Sequence, residues 1–266
     1  MAIQPVQPQS IGGVLDTSFQ LYKASLTKVW PLCLLLALAS ALPSIYLVVK
    51  GQAIGDPFAM LAAMSDVKYW LTYIVGVLIS LCAMGALYQL TNAIGTDSHM
   101  SLGDALQGAL GRTLILFVTA LLFGLAIAIG TVLLVIPGLI LMVSLLLSFN
   151  LVVLEGKGPV EALTGSHNLV WGHWWRTAAI LTVAFIIIMV IYMAVGMVIG
   201  IVMPLIGLGT GDPFLFAMLT GVIVGVIVSL IVTPYYIALA LSIYWDLKLR
   251  KEGGDLAARV GTLETA

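Results

Sequence analysis

Charge is what this sequence has least of. Lys, Arg, Asp and Glu together make up 9% of its 266 residues, against about 25% in an ordinary soluble domain. So thin a polar coat cannot cover a water-soluble globule. The net charge of -1 supplies no basic face for phosphates, which excludes nucleic acid as a partner. Cysteine is nearly absent: Cys33 and Cys82 sit inside apolar runs, without the spacing of a metal site or disulfide framework, and read as small hydrophobes. There is no Gly-rich phosphate loop and no GxSxG elbow. Met1–Ser10, rich in Gln and Pro, lacks the basic and short apolar regions of a cleavable signal, so the first apolar run reads as an uncleaved anchor.

What is present is hydrophobic: 61% of residues, with a mean hydropathy of +1.15. Disordered chains are poor in such residues, so the composition points to an all-α polytopic membrane protein in a single membrane domain, 1–266. A span needs about 20 apolar residues, because a helix rising about 1.5 Å per residue must cross about 30 Å of hydrocarbon. Six runs qualify: 30–49, 70–94, 113–136, 139–154, 177–203 and 214–244. The third and fourth are separated only by Pro137 and Gly138, which predicts a tight hairpin of two spans, since 113–154 is too long for one tilted helix.

Cations sort these runs. Lys23, Lys28, Arg112, Lys157, Arg176, Lys248, Arg250, Lys251 and Arg259 fall on one side, and Lys50 and Lys68 on the other. By the positive-inside rule the richer side is cytoplasmic, with both termini there, 245–266 forming a cytoplasmic tail, and the inner (plasma) membrane as the location. Most acidic residues share that side; Asp56, Asp66 and Asp212 do not.

Three inner-side stretches, 10–28, 101–112 and 158–176, carry apolar residues at helical spacing. The first places Ile11, Val14, Leu15, Phe19, Tyr22, Leu26 and Val29 on one face; the second does the same with Leu102, Ala105, Leu106, Ala109 and Leu110. Ser101 and Asp104 have the spacing of a capping box, and Pro159 suits a first helical position. The first and third align without a gap, Ser10 on Gly158, Ser18 on Ser166, Leu21 on Leu169 and Lys28 on Arg176. Six spans and three entry helices then form a threefold helix–span–span repeat. The entry helices are expected in the interfacial plane as amphipathic helices, with Lys23, Lys28, Arg112, Trp171, Trp174, Trp175 and Arg176 at headgroup depth.

Ile11–Trp30 (IGGVLDTSFQLYKASLTKVW), the Ile136-Pro137-Gly138 turn and Glu155–Arg176 (EGKGPVEALTGSHNLVWGHWWR) resemble a broad group of bacterial membrane proteins. It includes the YciC-like inner-membrane proteins and the membrane region of membrane-anchored glycerophosphodiester phosphodiesterases. The resemblance implies a shared membrane architecture. It does not carry the phosphodiesterase activity, whose catalytic barrel has no counterpart in this sequence. Thr164 and Gly165 stand where relatives often carry basic residues.

No charge lies near a span midplane, where ionisable groups mark proton relays and ion paths. Asn150 reads as an interhelical bridge. Gly196 with Gly200, Gly221 with Gly225, and more loosely Gly124 with Ala128, have small-residue spacing that predicts close packing of the fifth and sixth spans. Pro234 should kink or end the sixth, leaving Tyr235–Arg250 as a partly interfacial tail helix. His99, His167 and His173 read as interfacial polar residues, and Glu155, Lys157 and Glu161 as a solvated turn. No nucleophile–base pair, metal set or cofactor motif emerges. The expectation is a non-enzymatic scaffold or lipid-interacting protein, with a transporter or lipid-translocating channel as the alternative. Its partners are membrane lipids, and a second copy or another membrane protein stays open.

Overall fold

In a computed structural model the chain is described over residues 2–50, 61–62, 64–205 and 213–264. Among them the secondary structure is entirely helical: α1 (Ile11–Val49), α2 (Val67–Gly95), α3 (Leu102–Leu110), α4 (Thr113–Leu133), α5 (Val135–Ser144), α6 (Ser148–Glu155), α7 (Pro159–Val170), α8 (Trp174–Leu205) and α9 (Pro213–Glu264). Six helical stretches are long and apolar enough to cross a membrane, with α5 and α6 together forming one of them. The connections 51–60 and 206–212, with Asp56 and Asp212, lie outside the described residues, as does the side chain of Arg259.

Helix α1 packs most extensively on α2 and α9. Its first half packs on the bundle along one stripe. Val14, Ser18, Leu21, Ser25 and Val29 are fully buried, a stripe at helical spacing pressed onto the bundle. Nor does the helix break at Lys28: it runs through Pro31 and Pro43 to Val49. A proline there removes one backbone donor, a loss that span helices tolerate. The entry helices α3 and α7 bury Ala105 and Ala109, and Ala162, Ser166 and Val170; they too are packed against the bundle. Short breaks at Gly111–Arg112 and Trp171–His173 separate α3 from α4 and α7 from α8. The first unit of the expected repeat therefore differs from the other two, having no break.

The hairpin between α4 and α5 turns at Leu134, whose extended backbone (φ -163°, ψ 145°) is the only interruption. Pro137 and Gly138 belong to the first turn of α5, not to the connection. Pro137 fits there because first-turn amides have no partner inside their own helix. Gly138 is required by close approach: a Cβ on it would lie 2.2 Å from Thr131 Oγ1 and 3.0 Å from Thr131 Cα. Leu145–Leu147 then interrupt the path, and Ser166 of α7 spans the break, accepting from Leu147 N at 3.0 Å and donating to Ser144 O at 2.8 Å.

Helix α9 contradicts the expected tail. It continues through Pro234, and from Tyr235 to Leu247 every residue but Tyr236 is buried. A helix apolar and buried nearly all round is a central element. Asn150 ties α6 to it, donating from Nδ2 to Ala240 O at 3.1 Å.

Candidate functional site

The polar residues gather at two ends. At one, Tyr46 of α1 donates its hydroxyl to Asp66 at 2.6 Å, and Asp66 caps α2 by accepting from Lys68 N at 2.9 Å. Those donors, the phenol foremost, hold the Asp66 carboxyl below the usual carboxylate range. Lys50 stands over the Tyr46 ring, 5.8 Å from its centroid.

The other end is far richer, and its centre is a residue that sequence reasoning missed. Asp246, 1% exposed, accepts from Gln9 N at 2.7 Å, Arg176 Nη2 at 3.0 Å and Arg250 Nε at 3.0 Å. Arg176 and Arg250 both also donate to Gln9 O. A buried charge persists only when paired and hydrogen-bonded, and this carboxylate is both. The arrangement straps the N-terminal segment across α8 and α9. On the far side of α9, Glu155 accepts from Tyr244 at 2.6 Å, Lys157 at 2.8 Å and Lys248 at 3.1 Å. Glu155 is thus an inter-helix tie and not part of a solvated turn. Glu161 keeps a local role, facing Gly158 N at 3.4 Å. The capping box of α3 forms as expected, with Ser101 Oγ accepting from Asp104 N at 3.1 Å. The Ser101 hydroxyl, then its amide, hold Asp104 below the usual range.

Two of the residues expected at headgroup depth also bond internally. Arg112 turns inward and donates to the carbonyls of Val152 and Val153, satisfying acceptors near the end of α6 that have no intrahelical partner. Gly156 ends that helix at φ 70°, a left-handed conformation suited to glycine. Arg176 is committed to Asp246. Lys23 and Lys28 stay exposed, with Lys23 over the Phe19 ring at 4.5 Å.

Among the described residues, no neighbouring helix closes on the glycines expected to pack helices. A methyl group on Gly124, Gly196, Gly200, Gly221 or Gly225 would meet no described atom within 4 Å. Helix α8 leans on the bundle chiefly through Ile180 and Ala184 near its start, and its large apolar side chains beyond are mostly exposed. Gly221 and Gly225 line a cleft of about 390 Å³ between α9 and α1, with Ala37, Ser40, Ala41, Ser44 and Ser229. A second cleft, of about 290 Å³, lies between α1 and α2 and shares Ser40.

A groove of about 660 Å³ lies at the junction of α7 and α8. Ile136 and Ile140 form one wall and Trp171–Arg176 the other. Trp174 is fixed by donating its indole N–H to Ile140 O at 3.2 Å and by an edge-on contact with Trp175. Trp171 and Trp175 are 60% and 82% exposed, and Trp171 lies against His167. Indoles combine an apolar body with one donor, which suits the boundary between hydrocarbon and water. The sequence reveals the indoles but not the wall opposite them, because Ile136 is distant in the chain. Among the described residues no three His, Cys, Asp or Glu side chains gather as metal ligands.

Residues 118–247, just under half of the chain, match a family described as a domain of unknown function, DUF7847; the match takes in the hairpin, the groove and Asp246. No curated protein and no solved structure matches the chain.

Proposed function

We propose that this is a multi-pass protein of a bacterial inner membrane whose role is non-enzymatic and lipid-interacting. On this reading the charged end and both termini face the cytoplasm. The observation that carries it is the indole-lined groove beside Arg176. Its walls are apolar, two of its indoles are largely uncovered, and it lies at the end where the cations collect, the depth at which acyl chains meet headgroups. Kinship with the YciC-like proteins fits such a role and belongs to the same proposal. Because Arg112, Arg176, Arg250, Lys157 and Lys248 serve internal acceptors, recognition rests on the indoles and acyl chain more than on headgroup charge. Lys23 and Lys28 add about 1 kcal/mol each toward an anionic leaflet.

The test is photo-cross-linking of the full chain in nanodiscs with a phospholipid bearing a diazirine in its acyl chain. Adducts concentrated on 136–140 and 171–176, and reduced in Trp171→Ala/Trp175→Ala, are expected. Adducts spread evenly along α8 would overturn the reading. The two clefts sharing Ser40 favour a second reading, a lipid-translocating or transport path along α1, because hydroxyls and small residues reach into the apolar half of the bundle there. Acceleration of lipid flip in proteoliposomes, lost in Ser40→Leu, would promote it.

A further inference from the structure

The geometry points to the α4–α5 hairpin as a wedge that enters the bilayer from the charged end and turns inside it, seated among the acyl chains of that one leaflet. Length and hydropathy alone make α4 and the α5–α6 pair as long as spans. Two observations place their turn elsewhere than on the opposite face.

The first is the composition of the apex. Val132, Leu133, Leu134, Val135 and Ile136 are 64–87% exposed, and no polar side chain stands between Thr131 and Ser144. The described connections at 96–101 and 156–158 carry Asp97, Ser98, Ser101 and Lys157; this one offers water nothing. The second is its neighbours. Had α5 crossed beside α8, its first turn would face residues about 20 positions into α8, given about 1.5 Å per residue and about 30 Å of hydrocarbon. At that level of α8, Met193, Met197 and Val198 are exposed. Ile136 and Ile140 instead share a groove with Trp171–Arg176 at the very start of α8, with the Trp174 indole N–H on Ile140 O. Arg176 in turn holds Asp246 and Gln9, so the apex is joined to the charged end through two residues.

The occupant of this exposed face is the acyl-chain layer on the charged side. The inference does not rest on the lipid-groove reading: cross-linking at the groove and the placement of the apex are separate outcomes. The experiment uses the full chain in proteoliposomes, with Cys33 and Cys82 replaced by Ala and single cysteines at Leu134, Lys50 and Gln7. Leu134→Cys should react with a membrane-impermeant maleimide at least tenfold more slowly than either reference from both sides. A bimane at this position should be quenched by chain-labelled doxyl lipid exchanged into the leaflet of the Gln7 side. Leu133→Cys serves if Leu134→Cys does not assemble. Rapid labelling from the Lys50 side means that the hairpin crosses, and rapid labelling from the Gln7 side means that its tip is in water. A second protein covering the tip would protect it from the lipid quencher. Any of these overturns the inference.

Discussion

Replacing Asp246 with Asn removes the one negative charge between Arg176 and Arg250 while keeping its volume. Breaking a buried ion pair by neutralising one partner destabilises by about 3–5 kcal/mol. Two features place this case at the low end. The guanidinium side chains of Arg176 and Arg250 are 20% and 26% exposed, so water relieves part of their unpaired charge. An asparagine carbonyl can still accept from Gln9 N, which sits 2.7 Å from Oδ1. The expected loss is therefore about 3 kcal/mol, read from reversible unfolding of the full chain in mixed micelles by far-UV circular dichroism. Arg250→Ala should lose less, because its i,i+4 pair with Asp246 is the more exposed. A cycle between Asp246→Asn and Arg176→Met should give a coupling of about 1–3 kcal/mol. An Asp246→Asn variant within about 0.5 kcal/mol of the parent would refute the view that this carboxylate holds the charged end together.

Gly138→Ala should destabilise by about 1–3 kcal/mol through overpacking, because its Cβ would meet Thr131 at 2.2 Å, whereas Gly124→Ala and Gly196→Ala should stay within about 0.5 kcal/mol; thermal denaturation in detergent compares the three. Asn150→Ala should lose about 1 kcal/mol in the same assay, the worth of its bond to Ala240 O. The Asp104 carboxyl is held low in the folded protein, so its contribution is complete above the ordinary carboxylate pKa and is lost as pH falls through the depressed value. Ser101→Ala should flatten that acid limb and lower stability by about 1 kcal/mol at neutral pH, measured by stability against pH.

Local rules were legible in the sequence, and the sorting of partners was not. The Ser101–Asp104 cap and Pro159 at the start of α7 follow from signals within four residues. The six apolar stretches follow from length and hydropathy, and Asn150 as a bridge from the rarity of amides in such stretches. The continuity of α1 through Pro31 and of α9 through Pro234 was hidden because tertiary packing overrides a proline break. The hairpin turn fell three residues early because an α-helix accepts proline in its first turn. Asp246 escaped notice because LSIYWDLKLR has the pattern of an interfacial helix. What buries it is Gln9 and Arg176, respectively 237 and 70 residues away, and no periodicity encodes such pairs. The same applies to Arg112, whose carbonyl acceptors are 40 and 41 residues on.

Gln9, Glu155, Arg176, Asp246 and Arg250 gather at one end of the helices and Lys50 and Lys68 at the other, and the proposed topology puts these ends on opposite sides of the membrane. Impermeant maleimide applied to intact cells and to everted vesicles, using single cysteines at the exposed positions Gln7, Lys68 and Lys251, tests it directly. Gln7→Cys and Lys251→Cys should react only in everted vesicles and Lys68→Cys only in intact cells. Labelling of Gln7→Cys and Lys251→Cys from opposite faces would contradict this topology.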